Sequence, residues 1–288
     1  MRMTAFGLAT LAVLVGAVPA AHAAGEPAAY RMTTSYRVYW LGLPVFSGSV
    51  TGRRLDGRYA LAFSSRSIGV LRVMHRSRVE AKAAGIIGPA RYRPLRYRLR
   101  AKWKRKQRSV DMDFTADGGF SLSVTPPEKR KREPVPPDVA AAAFDPLTAL
   151  LHSTTVPLDA KACSLAVPVF DGKRRFDVLF EPAGKETLTT LISPLLDREA
   201  VKCKVRVRRI AGFTDKEIRD MDKSKDKQPV IWVSKLRSLK MWMPVHITYM
   251  SKWGPTVVRV EGIDVAPLAE TGQAPVRKTG WTPPASTR

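Results

Sequence analysis

Apolar and polar residues alternate with period two along most of this chain. Leu95, Tyr97, Leu99, Ala101 and Trp103 fall on one parity, and Arg96, Arg98, Arg100, Lys102 and Lys104 on the other. Successive side chains of a strand point to opposite faces, so this stretch predicts a strand with one apolar face and one wholly basic face. A helix fits badly, because charge would then surround its axis. Thr33 to Trp40, Val45 to Thr51 and Tyr59 to Ser67 are also read as strands, the first two joined through Leu41-Gly-Leu-Pro44. Gly and Pro there mark a turn. Ser109 to Phe114 predicts a return strand after a turn over Arg105 to Arg108, and Phe120 to Val124 a further short strand. Ile68 to Glu80 stays open: Val70, Val73 and Met74 fit helical spacing, while Arg76 to Glu80 fits a strand.

The second half has the clearest hairpin, Val167 to Phe170, then Asp171-Gly172, then Arg175 to Phe180. Asp-Gly between apolar runs favours a tight turn, since Gly takes positive φ without a Cβ clash. Val201 to Arg208 alternates with Lys202, Lys204, Arg206 and Arg208 on one face. Ile231 to Lys235, Leu239 to Tyr249 and Thr256 to Val265 complete the strands. Pro244 marks its strand as an edge or a bulge.

Between the halves, residues 126–137 hold five prolines and the basic run Lys129 to Arg132, which predicts an exposed linker. A helical insertion over 138–151 follows. Asp138 can cap a first helix, and Asp145-Pro146 a second, with Phe144, Leu147, Leu150 and Leu151 turned to the core. Residues 213–228 are polar and mixed in charge and are read as a loop, and 266–288 as a disordered tail. Strands far outnumber helices and do not alternate with them. The expected class is mainly β: one domain over 24–265 built on a large curved antiparallel sheet or half-barrel.

The N-terminus changes the picture. Met1-Arg2 is a short positive start, Ala5 to Val18 is uncharged and apolar, and Ala21-His-Ala23 offers small residues around a cleavage point. This predicts a secretory signal peptide over 1–23, with an uncleaved anchor as the alternative, and a periplasmic protein in a Gram-negative source. No later stretch is apolar enough for a membrane span. Outside the cytoplasm, Cys163 and Cys203 point to a disulfide that would pin the hairpin to the following strand. Two buried free thiols are the alternative.

Lys and Arg number 49 against 25 Asp and Glu, a formal net charge of +24. Such an excess favours polyanions. After export, lipid phosphates, lipopolysaccharide and acidic polysaccharide are the available ones, and nucleic acid is not; a charge that is merely solvated is the alternative. The candidate anion-binding residues are the two ladders Arg96, Arg98, Arg100, Lys102, Lys104 and Lys202, Lys204, Arg206, Arg208. Like charges directly opposite destabilise a sheet, so the ladders must face acidic strands, face water well apart, or share an anion.

Motifs for catalysis are missing. His75, His152 and His246 have no zinc-type spacing, and neither a P-loop nor a nucleophile elbow occurs. Asp111 with Asp113, and Asp215 with Glu217, are acid pairs whose expected role is salt bridging. No catalytic residue, metal or cofactor is expected.

Tyr39-Trp-Leu-Gly-Leu-Pro-Val45, Phe144-Asp-Pro-Leu-Thr-Ala-Leu-Leu151, Val169-Phe-Asp-Gly-Lys-Arg-Arg-Phe-Asp177 and the two cysteines together resemble a family of exported Gram-negative proteins, domain of unknown function 3108. The resemblance runs from about Tyr36 to Val265. It implies a signal peptide and a β-rich exported domain, and transfers no catalytic residue. The shape it implies is similar to the half-barrel of periplasmic lipoprotein carriers, an analogy of fold that does not decide function. The expected role is a non-enzymatic binding or envelope-maintenance module for an anionic or acyl-chain ligand. The alternatives are an assembly protein held to anionic surfaces by charge, and a hydrolase.

Overall fold

The structure is a computed structural model that describes residues 29–88, 92–115, 119–128, 132–155, 163–189, 193–224, 227–251 and 254–268. The expected signal peptide, and the expected tail from residue 269 onward, lie outside the described residues.

Seven strands come first: β1 (Tyr30–Trp40), β2 (Leu43–Leu55), β3 (Arg58–Ser67), β4 (Ser77–Ile87), β5 (Tyr92–Trp103), β6 (Lys106–Phe114) and β7 (Phe120–Thr125). The open question over 68–80 resolves both ways, as helix α1 (Gly69–Met74) running into β4. Helices α2 (Pro137–Ala141) and α3 (Pro146–Thr155) follow. The second half holds β8 (Leu165–Phe170), β9 (Arg175–Thr187), β10 (Leu196–Ala211), α4 (Asp215–Asp222), β11 (Val230–Leu236), β12 (Met241–Ser251) and β13 (Gly254–Pro267). All thirteen strands form one antiparallel sheet, ordered β7-β6-β5-β4-β3-β2-β1-β13-β12-β11-β10-β9-β8.

That order is a meander cut once and rejoined. Successive strands are neighbours except at β7 and β8, which lie at opposite ends of the sheet, while the first and last strands pair along their full length in the middle. The two ends approach each other without ladder hydrogen bonds. The Phe120 and Phe170 rings stand 5.7 Å apart, and a Cβ on Gly172 would meet Val110 Cγ1 at 2.5 Å. Gly172 also has φ of 89°, so the Asp-Gly turn needs glycine twice over. Asp171 Oδ1 accepts from Lys173 N and Arg174 N and fixes that turn.

The α2–α3 insertion packs inside the curve. Leu147 joins Tyr59, Leu61, Tyr97, Val110 and Met112 in one buried cluster. Leu151 touches that cluster and a second one made of Tyr30, Met32, Leu236, Met241, Met243 and Val245. The helix thus replaces a second sheet as the filling of the core. Asp145 Oδ1 accepts from Leu147 N and Thr148 N, the expected cap. Cys163 and Cys203 form a disulfide, fully buried, that ties the segment entering β8 to β10 across β9.

Five expectations change. Asp138 does not cap α2: it lies inside the first turn, and the N-cap is Pro136, with no side-chain cap hydrogen bond. Leu150 does not reach the core and is 36% exposed. Residues 213–228 contain α4, opened by a capping box in which Thr214 Oγ1 accepts from Glu217 N and Glu217 accepts from Thr214 N. The sequence carries the matching T-x-x-E signature at Thr214 and Glu217. The basic strand reverses at Lys104 and Arg105, so Lys106 to Arg108 belong to β6. Pro244 pairs with Val233 beside a register shift that leaves Val245 of β12 as the extra residue, and β12 is an interior strand, so the bulge reading holds and the edge reading does not.

Candidate functional site

The two basic ladders occupy outer-face positions of β5 and β10, with seven strands between them, and each faces carboxylates. On β6, Asp113 binds Arg96 (3.1 Å) and Arg98 (2.8 Å), and Asp111 binds Arg98 (3.1 Å) and Arg100 (2.8 Å). Partial burial pushes the Asp113 carboxyl up, but hydrogen bonds and charge from Arg98 and Arg96 outweigh it and hold it below the usual range. Lys202 lies 3.2 Å from Glu186, Arg206 pairs with Glu181, and Arg208 lies 2.6 Å from Asp177. Lys102, Lys104 and Lys204 have no ion-pair partner among the described residues. The sheet therefore meets the cost of a like-charge strand by placing acids on the next one. Asp111 and Asp113 are committed to these pairs, which removes them as a general acid–base couple. Glu217 is committed too, to the α4 cap and to Arg132 at 3.2 Å.

His152 and His246 are packing residues. His152 meets Phe144 (4.9 Å) and Tyr92 (6.4 Å), and His246 stands edge-on to Trp232 at 4.8 Å. Burial holds the His246 imidazole below its ordinary value. Trp103 is exposed, while Trp242 packs beside the disulfide cluster. Among the described residues no group of His, Cys, Asp and Glu could hold a metal.

The concave side is different in kind. Between α3 and the inner face of β1, β2, β3 and β12 lies an apolar cleft of about 50 Å³. Tyr30, Met32, Leu61, Met241 and Met243 form its floor, and Leu147, Leu150 and Leu151 its roof. Few polar groups enter it. Thr34 is fully buried, and its Oγ1 has no hydrogen-bond partner among the described residues. The Tyr36 hydroxyl approaches Thr34 without reaching hydrogen-bond geometry, and burial pushes the Tyr36 phenol well above its ordinary range. Arg54 stands at the β2 end of the lining and brings a positive charge. Beyond Leu150, Thr154 and Pro244, which line both spaces, a second apolar cavity of about 70 Å³ runs to Phe180, Val233, Trp242 and Cys203. Sequence reasoning pointed at the outer ladders and missed this cleft. Its one readable signal is the inward parity of Met32, Thr34 and Tyr36.

Residues 35–261 match the family described as a protein of unknown function, DUF3108. The chain belongs to that family. Among solved structures it is similar to a beta-barrel-like protein of domain of unknown function DUF1849 from Brucella abortus. That likeness has 10% identity and a TM-score of 0.46, and it covers 84% of this chain and 99% of the other. No curated protein matches the chain.

Proposed function

We propose that this protein is an exported, non-enzymatic binding module that takes up the acyl chain of an anionic amphiphile on the concave side of its sheet. The observation that carries the reading is the apolar cleft beneath α3, with one orphaned buried hydroxyl and a cationic rim. An apolar pocket with a few convergent polar groups is the usual form of a small-molecule site. The apolar floor suits a segment of acyl chain, and a head-group acceptor can satisfy Thr34 Oγ1.

At about 50 Å³ the cleft holds a few waters and not a whole acyl chain. The adjoining cavity supplies the rest of the path. Leu150 separates the two spaces, is partly exposed and adds little to the core, so a chain that displaces it joins them. The buried disulfide supports an oxidising compartment, in keeping with export to the periplasm.

Native mass spectrometry on protein purified gently from its host, with lipid extraction alongside, tests this. The expected result is a retained acyl-chain adduct, and at least a tenfold loss of fluorescent fatty-acid binding in Leu150→Trp. A clean apo mass together with no binding of the fatty-acid probe sinks the proposal.

A further inference from the structure

Twelve large hydrophobic side chains are exposed among the described residues, and eight of them gather at one end of the sheet. Leu41 and Leu43 are at the β1–β2 tip. Val70, Val73 and Met74 are on α1, Trp103 ends β5, and Tyr249 and Met250 approach the β12–β13 tip. These tips are neighbours. Leu41 N donates to the Pro255 carbonyl (3.1 Å), Ile68 N to the Val45 carbonyl (2.9 Å), and Lys104 N to the Arg76 carbonyl (2.9 Å). The exposed residues therefore form one continuous rim.

Folding does not explain that rim. Helix α1 buries none of its residues, and Val73 and Met74 are 89% and 71% exposed. Leu41 has φ of 49°, in the left-handed region where a bulky side chain is strained and Asn or Gly is the ordinary choice. A residue that is apolar, exposed and strained at once serves something outside the core. Cations stand between the tips. Arg72 and Arg76 flank the end of α1, Lys104 and Arg105 make the β5–β6 turn, and Lys106 opens β6. All five are exposed, and none has an ion-pair partner among the described residues.

We infer that this rim docks on an anionic lipid surface, with Leu41, Leu43, Val73 and Met74 entering the head-group and acyl boundary and the five cations resting among lipid phosphates. Apolar tips give depth, basic residues give charge, and Trp103 suits the interface between them. A protein partner fits less well, because the apolar groups are spread over four separate tips with cations between them and form no single groove. The cleft beneath α3 plays no part in this inference, so either reading can fail alone.

The test is flotation of the purified protein with phosphatidylglycerol–phosphatidylcholine vesicles and with phosphatidylcholine alone. Binding to the anionic vesicles is expected, falling at least tenfold in Val73→Glu/Met74→Glu. Both positions are exposed, so the double variant should keep the wild-type melting temperature and its binding of a fluorescent fatty acid. The native cysteines are paired, so Val73→Cys offers a single labelling site. A polarity-sensitive dye there should shift blue on anionic vesicles, and the same dye on Ser123→Cys of β7 should not. Vesicle binding unchanged by the double variant overturns the inference. So does a blue shift at Val73→Cys that follows protein concentration without vesicles, which would make the rim a contact between copies of this chain.

Discussion

The Tyr59 hydroxyl lies 2.8 Å from Thr148 Oγ1, fully inside the protein, and joins β3 to α3. Thr148 donates its single proton to Asp145 Oδ2, so Tyr59 is the donor to Thr148, and the chain of bonds runs one way to a buried carboxylate. Tyr59→Phe and Thr148→Val should each destabilise by about 1–3 kcal/mol, because each leaves a buried polar group short of a partner. The double variant should cost less than the sum. Urea unfolding of the four proteins measures that coupling.

Asp145 sets a pH dependence. Burial pushes its carboxyl up to about 6, against the hydrogen bonds from Thr148 and Leu147. A carboxyl raised in the folded state binds more protons there than in the unfolded chain. Its contribution is full below the ordinary aspartate value and is lost as pH rises through about 6. Asp113, Asp177 and Glu217 are held below the ordinary range, where the pull of their hydrogen bonds and neighbouring cations exceeds the push of burial, so their contribution is lost at the acid end. His246, held low chiefly by burial, adds the opposite slope, since its contribution is lost as pH falls below the ordinary imidazole range. The Asp145 contribution should therefore be read as a difference: between roughly pH 4 and 6, wild type should lose melting temperature relative to Asp145→Asn as pH rises.

Gly85 makes room for the same hydroxyl. A Cβ there would stand 2.2 Å from the Arg93 carbonyl oxygen and 2.4 Å from Tyr59 Oη. The first neighbour is backbone and cannot step aside. Gly85→Ala should cost on the order of 1–3 kcal/mol by overpacking, with a lowered urea midpoint and an unchanged slope.

The Cys163–Cys203 bond spans 40 residues. Loop-closure entropy assigns it about 4 kcal/mol. Cys163→Ser/Cys203→Ser should lower stability by about that amount. Wild-type protein unfolded with and without reductant should show the same difference.

Arg132 anchors the proline-rich linker. Its side chain is 9% exposed and binds Glu217 (3.2 Å), Glu128 (3.4 Å) and the Gly212 carbonyl. Arg132→Ala should free the chain before α2, leave Glu217 to the α4 cap and the more distant Arg174, and cost about 1–3 kcal/mol. Limited proteolysis should then cut between residues 126 and 136 faster than in wild type.

Much of this molecule could be read from its residues. Alternation placed most of the strands. Asp171-Gly172 placed the β8–β9 turn, and Asp145-Pro146 placed the start of α3. The start of α4 is written in Thr214 and Glu217, but a two-residue signal is weak against a run of mixed charge. Leu150 was misplaced for another reason. Helical spacing says which side chains share a face, and it cannot say that one of them borders open clefts where its neighbours meet filled core.

The candidate site was less legible. The ladders stood out because identical charges on one parity are easy to see. Their meaning depended on Asp111 and Asp113 falling opposite Arg98 and Arg96, a matter of register across a hairpin. The cleft lies between β1, β12 and α3, elements drawn from the two ends and the middle of the chain. Its residues share no local pattern beyond being inward and mostly apolar.

By itself, then, the sequence determined the local facts: strand parity, turn chemistry, helix caps, and the charge excess. Each depends on residues within a few positions of one another, where backbone geometry alone decides. The tertiary structure decided that β1 pairs with β13, that α3 fills the curve of the sheet, that most of the basic ladders are neutralised, and that exposed apolar tips meet at one rim. Those outcomes depend on which distant faces bury each other best. A period of two names a face and leaves its partner open.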